Sequence, residues 1–418
     1  VSVRRFVLGC ALAGACTGIQ PVLEDMPEVV AEDEDVPGGR SLHGRPLQLA
    51  AVTDTWVNLT VLADGMIAVH GPGVLALAPA GFGQLETKPA WLREWPQWPG
   101  AMGGRWPDDV FVTAQWALTR TGVEFAVWRW RNRAWAKWRI PGAPLRFDFY
   151  SDYAVGHDGA ILGLRGFAGP GIGEDPDVLR AMQARDPDLR TTIDVLAGGG
   201  PPPWPPLPPG REGLQLAAFA DGTMVVLRRE SSLQRWSPGA GEWADLPALP
   251  GHAPGVNGGE SAVMVGRDPA RLYVHRCVEK DRPVLERLTA GAWRPVALPP
   301  GGCVRSLAEA PDGTLWLVND RGLYRRAPGS DSAPWEEVPL APVDAPGKPV
   351  ATLDGSPLPP QGPEPVRARQ VVALDRGEVW VVAELGSGDG GSSREVVLTN
   401  RTVLAPLVLR SAGRSPGG

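Results

Sequence analysis

The residues best equipped for chemistry lie in one stretch, Trp128-Arg129-Trp130-Arg131-Asn132-Arg133-Ala134-Trp135-Ala136-Lys137-Trp138-Arg139. Side chains alternate between the two faces of an extended chain. Read as a hairpin turning at Asn132, the stretch puts Arg129 and Arg131 on one face and Trp128 and Trp130 on the other. Trp135 and Trp138 then fall on opposite faces of the return strand. Cations beside indoles can stack a sugar ring or grip an anionic polymer. Arg129, Arg131, Arg133, Trp135 and Lys137 are therefore the candidate binding residues. The competing reading is structural: the indoles fill a gap between neighbouring units and the arginines sit in water.

The search for a reaction centre turns up little else. His43, His70, His157, His252 and His275 are scattered, with no paired carboxylate and no His-x-x-x-His spacing. Neither a Gly-x-Ser-x-Gly elbow nor a phosphate-cradling glycine loop occurs. No catalytic residue, metal ligand or cofactor is assigned. Of the four cysteines, Cys10 and Cys16 lie in the N-terminal stretch, leaving Cys277 and Cys303. Outside the cytoplasm such a pair oxidises, and the expectation is a disulfide joining two adjacent structural units. No histidine or further cysteine stands at metal-ligand spacing from them.

The elements that must carry these residues are read most clearly in residues 304–340. This segment divides into four short strands: 304–310, 314–318, 323–325 and 335–340. Asp312-Gly313 suits a tight two-residue turn between the first two, because glycine tolerates positive φ. The punctuation recurs as Asp64-Gly65, Asp158-Gly159 and Asp221-Gly222, each before an apolar run. Weaker copies are Asp108-Asp109, Asp268-Pro269-Ala270-Arg271 and Asp375-Arg376-Gly377. The spacing is roughly 44 to 49 residues, or about 63 where insertions intervene. A second periodic feature is a tryptophan followed by a proline exit: Trp138 to Pro141, Trp243 to Pro247, Trp293 to Pro299, Trp335 to Pro339. One such meander cannot bury both its faces and must stack on copies of itself. The expectation is an all-β propeller of about seven four-stranded antiparallel blades over 47–410, with one short inserted helix at 178–185.

Composition agrees. The 418 residues include 53 Gly and 45 Pro, as turn-dense β structure requires, and 17 Trp to build a core. A net charge of −6 argues against non-specific nucleic-acid binding. Insertions are expected at 166–210 and 341–365. The first contains the run Pro201-Pro202-Pro203-Trp204-Pro205-Pro206-Leu207-Pro208-Pro209, which favours a stiff polyproline II spacer over a recognition segment. Residues 411–418 read as a disordered tail.

Residues 1–16 have a basic start, Arg4-Arg5, and a short apolar run too brief to span a bilayer. Ala13-Gly14-Ala15-Cys16 resembles the lipobox of bacterial lipoproteins, departing from it at Ala13, where leucine is usual. The resemblance implies lipidation of Cys16, an acidic tether over 17–46, and an outer-membrane lipoprotein facing the periplasm or the surface. Cys10, after Val7-Leu8-Gly9, is a competing but less well spaced candidate, and an ordinary cleaved secretory signal is the alternative. Within the repeat, APDGTLWLVNDRGLYRR (310–326) is similar to two-component-regulator-type propeller repeats, and the wider pattern resembles kelch and neuraminidase-repeat propellers. Residues 387–393 resemble the Asp-box hairpin of sialidases, with Arg394 in place of its tryptophan. These resemblances imply a monomeric, non-enzymatic binding or scaffold module at the cell envelope, its partner an envelope protein or glycan. A carbohydrate-active enzyme working in the propeller funnel is the alternative.

Overall fold

A computed structural model describes residues 45–409, with interruptions of which the longest are 139–147, 168–190, 251–261, 344–365 and 386–393. The first strand, β1 (Gln48–Thr53), stands apart from those that follow it. After it the chain forms seven sheets in sequence order, blades I to VII. Blade I is β2 (Asn58–Val61), β3 (Ile67–Gly71) and β4 (Val74–Ala78). Blade II is β5 (Pro99–Arg105), β6 (Asp109–Thr119), β7 (Gly122–Arg131) and β8 (Ala134–Trp138). Blade III is β9 (Asp148–Val155), β10 (Ile161–Phe167) and β11 (Thr192–Ala197). Blade IV is β12 (Gly213–Ala218), β13 (Met224–Arg228), β14 (Leu233–Trp236) and β15 (Ala244–Asp245). Blade V is β16 (Ala262–Val265), β17 (Tyr273–Val278), β18 (Arg282–Thr289) and β19 (Ala292–Val296). Blade VI is β20 (Ser306–Glu309), β21 (Leu315–Val318), β22 (Leu323–Arg326) and β23 (Glu336–Val338). Blade VII begins with β24 (Val366–Ala373), β25 (Val379–Leu385) and β26 (Glu395–Thr399).

The innermost strands β2, β5, β9, β12, β16, β20 and β24 each neighbour the next, and β24 neighbours β2. The chain is a seven-bladed propeller. Second strands such as β21 (LWLV) and β13 (MVVLR) are buried along their whole length, as strands covered on both faces must be. The core follows from that: the buried apolar side chains fall into seven clusters, one for each gap between consecutive blades. The gap between VII and I, for example, holds Trp380, Val382 and Val397 against Leu59, Val69 and Ala76.

The blades differ from the expected four strands. Blades I and III have three described strands; in blade I the segment after β4 pairs with it only at a single bridge, Leu77 with Glu86. Blade VII has five: β1 pairs antiparallel with β26, and the last strand, β27 (Leu407–Leu409), pairs parallel with β1. The two ends of the described chain thus lock the ring. The Asp-Gly turns are also tighter in definition than expected. Gly65, Gly222 and Gly313 adopt φ of 86°, 82° and 85° while the aspartates do not have positive φ. Each aspartate instead accepts from the N–H two residues on, at 3.2, 2.9 and 2.9 Å. Each glycine N–H returns to the carbonyl three residues back, making a type I turn with a glycine bulge, a three-residue loop in place of the two-residue one. A 3-10 turn is described at Pro89–Leu92; the helix expected at 178–185, Asp158-Gly159 and the Asp-box stretch 387–393 lie outside the described residues.

The proline exits and tryptophans form a repeated clamp. Trp243, Trp293 and Trp335 donate their indole N–H to the carbonyls of Pro205, Pro247 and Ala297 in the preceding blade's exit, at 2.9, 2.7 and 2.6 Å. Three residues further along each exit, the carbonyls of Pro208, Pro250 and Pro300 accept from Arg228, Arg276 and Asn319, at 2.6, 2.8 and 3.2 Å. Trp135 repeats the first half of the clamp in blade II, reaching Trp91 O at 2.8 Å. The polyproline run is therefore the exit of blade III, with Pro205 and Pro208 holding blade IV.

Cys277 in blade V and Cys303 before blade VI form a disulfide, with Cα atoms 5.7 Å apart. Two outcomes are expected of the protein from Gly38 onward. Trp243→Phe, which keeps the ring and loses the donor, lowers stability by about 1 kcal/mol, whereas Trp243→Ala costs about 3–5 kcal/mol; equal urea midpoints for the two would refute the clamp. Reduction of the disulfide costs about 3.5 kcal/mol at about 25 °C on the chain-entropy estimate for its 26-residue separation, and no thiol should be alkylated before reductant is added.

Candidate functional site

The Trp-Arg stretch folds as the β7–β8 hairpin. Asn132 and Arg133 are its two turn residues, both in the left-handed region with φ of 53° and 62°, as a two-residue type I′ turn demands. The register sets Trp130 opposite Trp135, Arg129 opposite Ala136 and Trp128 opposite Lys137. Trp128, Trp130 and Trp135 are buried in the gap between blades I and II. Arg129 makes a two-point ion pair with Asp109, at 2.5 and 2.7 Å, and lies 5.1 Å above the Phe111 ring. That pair raises the guanidinium's pKa still further. Lys137 sits 5.7 Å from the Trp128 ring centroid. Arg131 and Arg133 are exposed at the hairpin tip.

Of the five candidates, the fold thus leaves Arg131 and Arg133 exposed at the hairpin tip, commits Arg129 to Asp109, sets Lys137 near Trp128 and buries Trp135 against blade I. Two rings from outside the stretch complete the surface. Trp106 stacks on Trp130, with centroids 5.3 Å apart and planes at 16°. Trp91 meets Trp106 edge-on at 5.0 Å, and Lys88 lies 5.8 Å from the Trp91 centroid. Both outer rings are half-buried. Sequence pattern pointed to neither, because each arrives from a loop: Trp106 from the β5–β6 turn and Trp91 from the exit of blade I. Cys16 lies outside the described residues.

The other candidate region is the central channel. Innermost strands have a free backbone edge, which must find partners. Here polar side chains supply them from one blade to the next. Gln370 bridges both the N–H and the carbonyl of Leu59, at 2.9 and 3.0 Å, joining VII to I. Ser306 Oγ accepts from Val371 N at 3.1 Å, joining VI to VII. Asp152 accepts from Leu216 N at 2.8 Å, joining III to IV. Glu395, buried beside the start of blade I, accepts from Val57 N at 2.6 Å and from Arg369 Nε at 2.8 Å; burial pushes its carboxyl pKa up. Among the described residues no group of three His, Cys, Asp or Glu could hold a metal ion.

Four channel and wall groups titrate unusually. Asp152 is pushed up to about 6, chiefly by burial, with the hydrogen bond from Leu216 opposing; burial also raises the neighbouring Tyr153 phenol. His70, 2.9 Å from Thr60 Oγ1, and His275, which accepts from Val304 N at 3.3 Å, are both lowered to about 4 by burial, with the Arg276 charge adding to the second. Both imidazoles are neutral wall residues at physiological pH.

No known protein family matches the chain, and no curated protein is similar to it in sequence. Among solved structures, the extracellular domain of a hybrid two-component system of B. thetaiotaomicron is similar at 12% identity and TM-score 0.47, over 84% of this chain and 39% of that one. The chain therefore spans about two fifths of the length of that extracellular domain. The GH74 xyloglucanase from Xanthomonas campestris is similar at 16% identity and TM-score 0.42, over 70% of this chain and 46% of that one. YCF48 from Cyanidioschyzon merolae is similar at 11% identity and TM-score 0.45, over 85% and 99%.

The titrations fix a pH dependence of stability. The histidines' folded pKa values lie below the unfolded value of about 6.5, so their contribution is complete above about 6.5 and is lost as pH falls toward about 4. Asp152 has the opposite sign: its contribution is complete below the unfolded value of about 3.9 and is lost as pH rises through about 6. Asp152→Asn is expected to raise stability at neutral pH and to steepen the acid fall. Urea midpoints from about pH 4 to about pH 7 measure both; an unchanged neutral midpoint with an unchanged slope would overturn the assignment.

Proposed function

We propose that this propeller is a non-enzymatic binding module displayed at the cell envelope. The supporting observation is the one-sided distribution of its connections. In every blade the first two strands join at one rim, here the turn rim, and the second and third strands join at the opposite rim, here the loop rim. The ends of the long connections 139–147, 168–191, 246–261, 339–365 and 386–394 all lie at the loop rim. The turn rim carries tight turns such as Leu62–Gly65 and Asn132-Arg133. A ring whose longer connections leave and return at one rim suits recognition by loops.

The funnel enzyme is the less favoured reading. Its polar wall groups Asp152, Ser306, Gln370 and Arg369 are spent on backbone groups and a carboxylate. Most hydrolases acting on sugars need two carboxyl groups facing one bond, and sialidases use a tyrosine nucleophile in place of one of them. Export and anchoring through Cys16 complete the proposal, with an envelope protein or a glycan as the partner.

The protein from Gly38 onward, used as bait in envelope extracts and on glycan arrays, is expected to retain a partner without cleaving it. Release of reducing ends from a bound glycan would favour the enzyme instead. Palmitate labelling of the full chain in cells should disappear in Cys16→Ala; labelling that persists would remove the anchor from the proposal.

A further inference from the structure

The hairpin tip of blade II and the point where the chain enters the propeller lie on the same rim. Strand β1 runs antiparallel to β26, and Gln48 pairs with Thr399, so the chain arrives at the turn rim. Blade II's β5–β6 turn and β7–β8 turn are at that rim too. The rims of neighbouring blades are tied in register there, by Ala63 N to Gly104 O at 2.9 Å and Gly81 N to Glu378 Oε2 at 2.9 Å.

This part of blade II is cationic on a chain of net charge −6. Arg105, Arg131 and Arg133 are exposed and pair with no acidic side chain among the described residues. The nearby carboxylates are largely engaged: Asp109 by Arg129, and Asp64 by the N–H groups of Met66 and Trp106. Asp108 is an exposed acid in the same turn, which leaves the cluster net positive. Half-buried Trp106, next to Arg105 in the chain, and Trp91 present ring surface backed by Trp130, while Arg131 lies on the other face of β7 from Trp130. Indoles next to arginines suit a lipid headgroup layer, where the ring sits at the apolar boundary and the cation meets phosphate. A neutral sugar would need hydroxyl acceptors, and the carboxylates that could serve are mostly taken.

We propose that the turn rim of blade II, built on Arg105, Trp106, Arg131 and Arg133, is a seat for an anionic phospholipid surface. Resting on the reading of an N-terminal envelope anchor, it orients the ring: the turn rim lies against the membrane and the loop rim faces away. The anchor supplies attachment and the patch supplies orientation, a two-signal arrangement in which a polybasic patch adds to a lipid chain.

The test uses the protein from Gly38 onward, which lacks Cys16, so that its result is independent of lipidation. It is sedimented with vesicles of phosphatidylcholine alone and of phosphatidylcholine mixed with phosphatidylglycerol. Binding is expected only to the anionic vesicles and is expected to fall with salt. Arg131→Ser with Arg133→Asn should weaken it about tenfold or more. Asparagine suits the left-handed turn position, so the variant's melting temperature should hold and a loss of binding cannot be put down to unfolding. The proposal is overturned by no sedimentation, by equal binding to uncharged vesicles, by an unaffected variant, or by arginine-dependent retention on heparin without vesicle binding. Loss of palmitate labelling would still stand or fall on Cys16 alone.

Discussion

The structure depends on where the carbonyls of each blade's exit go. A proline-rich segment cannot extend a sheet, because proline has no N–H to give and holds φ fixed. Its carbonyls still need donors. At the exits of blades III to V the following blade provides two, an indole N–H to the first carbonyl and an Arg or Asn side chain to the carbonyl three residues on. The separation repeats although the donor does not, since a guanidinium from β13 or β17 and an amide after β21 reach the same place. Leu207 and Leu249, between the two carbonyls, are buried in the gap they close. Each exit is thus both the end of one sheet and part of the wall of the next.

That arrangement explains what could be read from the sequence. The tryptophan and the proline exit recur visibly because an indole is hard to replace as a donor that also fills a gap. The Asp-Gly turns were legible for a similar reason: only glycine holds φ near 85° there at no cost. Four such turns and three weaker copies together marked seven blades. In blade II the phase slips, since the clamping ring is Trp135 and not Trp138; a run of four indoles within eleven residues, 128–138, has no internal cue to which one faces the gap.

Other features left no local trace. The pairing of β1 with β26 joins residues about 350 positions apart, from 48 with 399, and nothing in Gln48–Thr53 distinguishes a closing strand from the first strand of a blade. The interblade caps Gln370, Ser306 and Asp152 differ in type and in position along their strands, so no period reveals them. The candidate surface was half legible. Alternation along 128–139 found the cations, but the partners that decide their role, Asp109 for Arg129 and Trp106 for Trp130, come from the neighbouring strand and its turn.

Closing the ring at blade VII has a consequence for how the two rims can be used. Because β1 and β27 run the same way, the chain enters at the turn rim and β27 ends at the loop rim. Both are held in the one blade that also carries the buried Glu378–Arg401 pair, where Glu378 accepts from Arg401 at 2.9 Å, from Trp380 at 2.8 Å and from Gly81 of the next blade at 2.9 Å. A buried carboxylate with every neighbour a donor is stable only while all of them stay in place. Force applied through the N-terminal segment is therefore borne by β1, paired on both edges, and by this network, away from the loop rim. With the anchor proposed above, the ring is held at the turn rim, opposite the rim from which the longer connections leave.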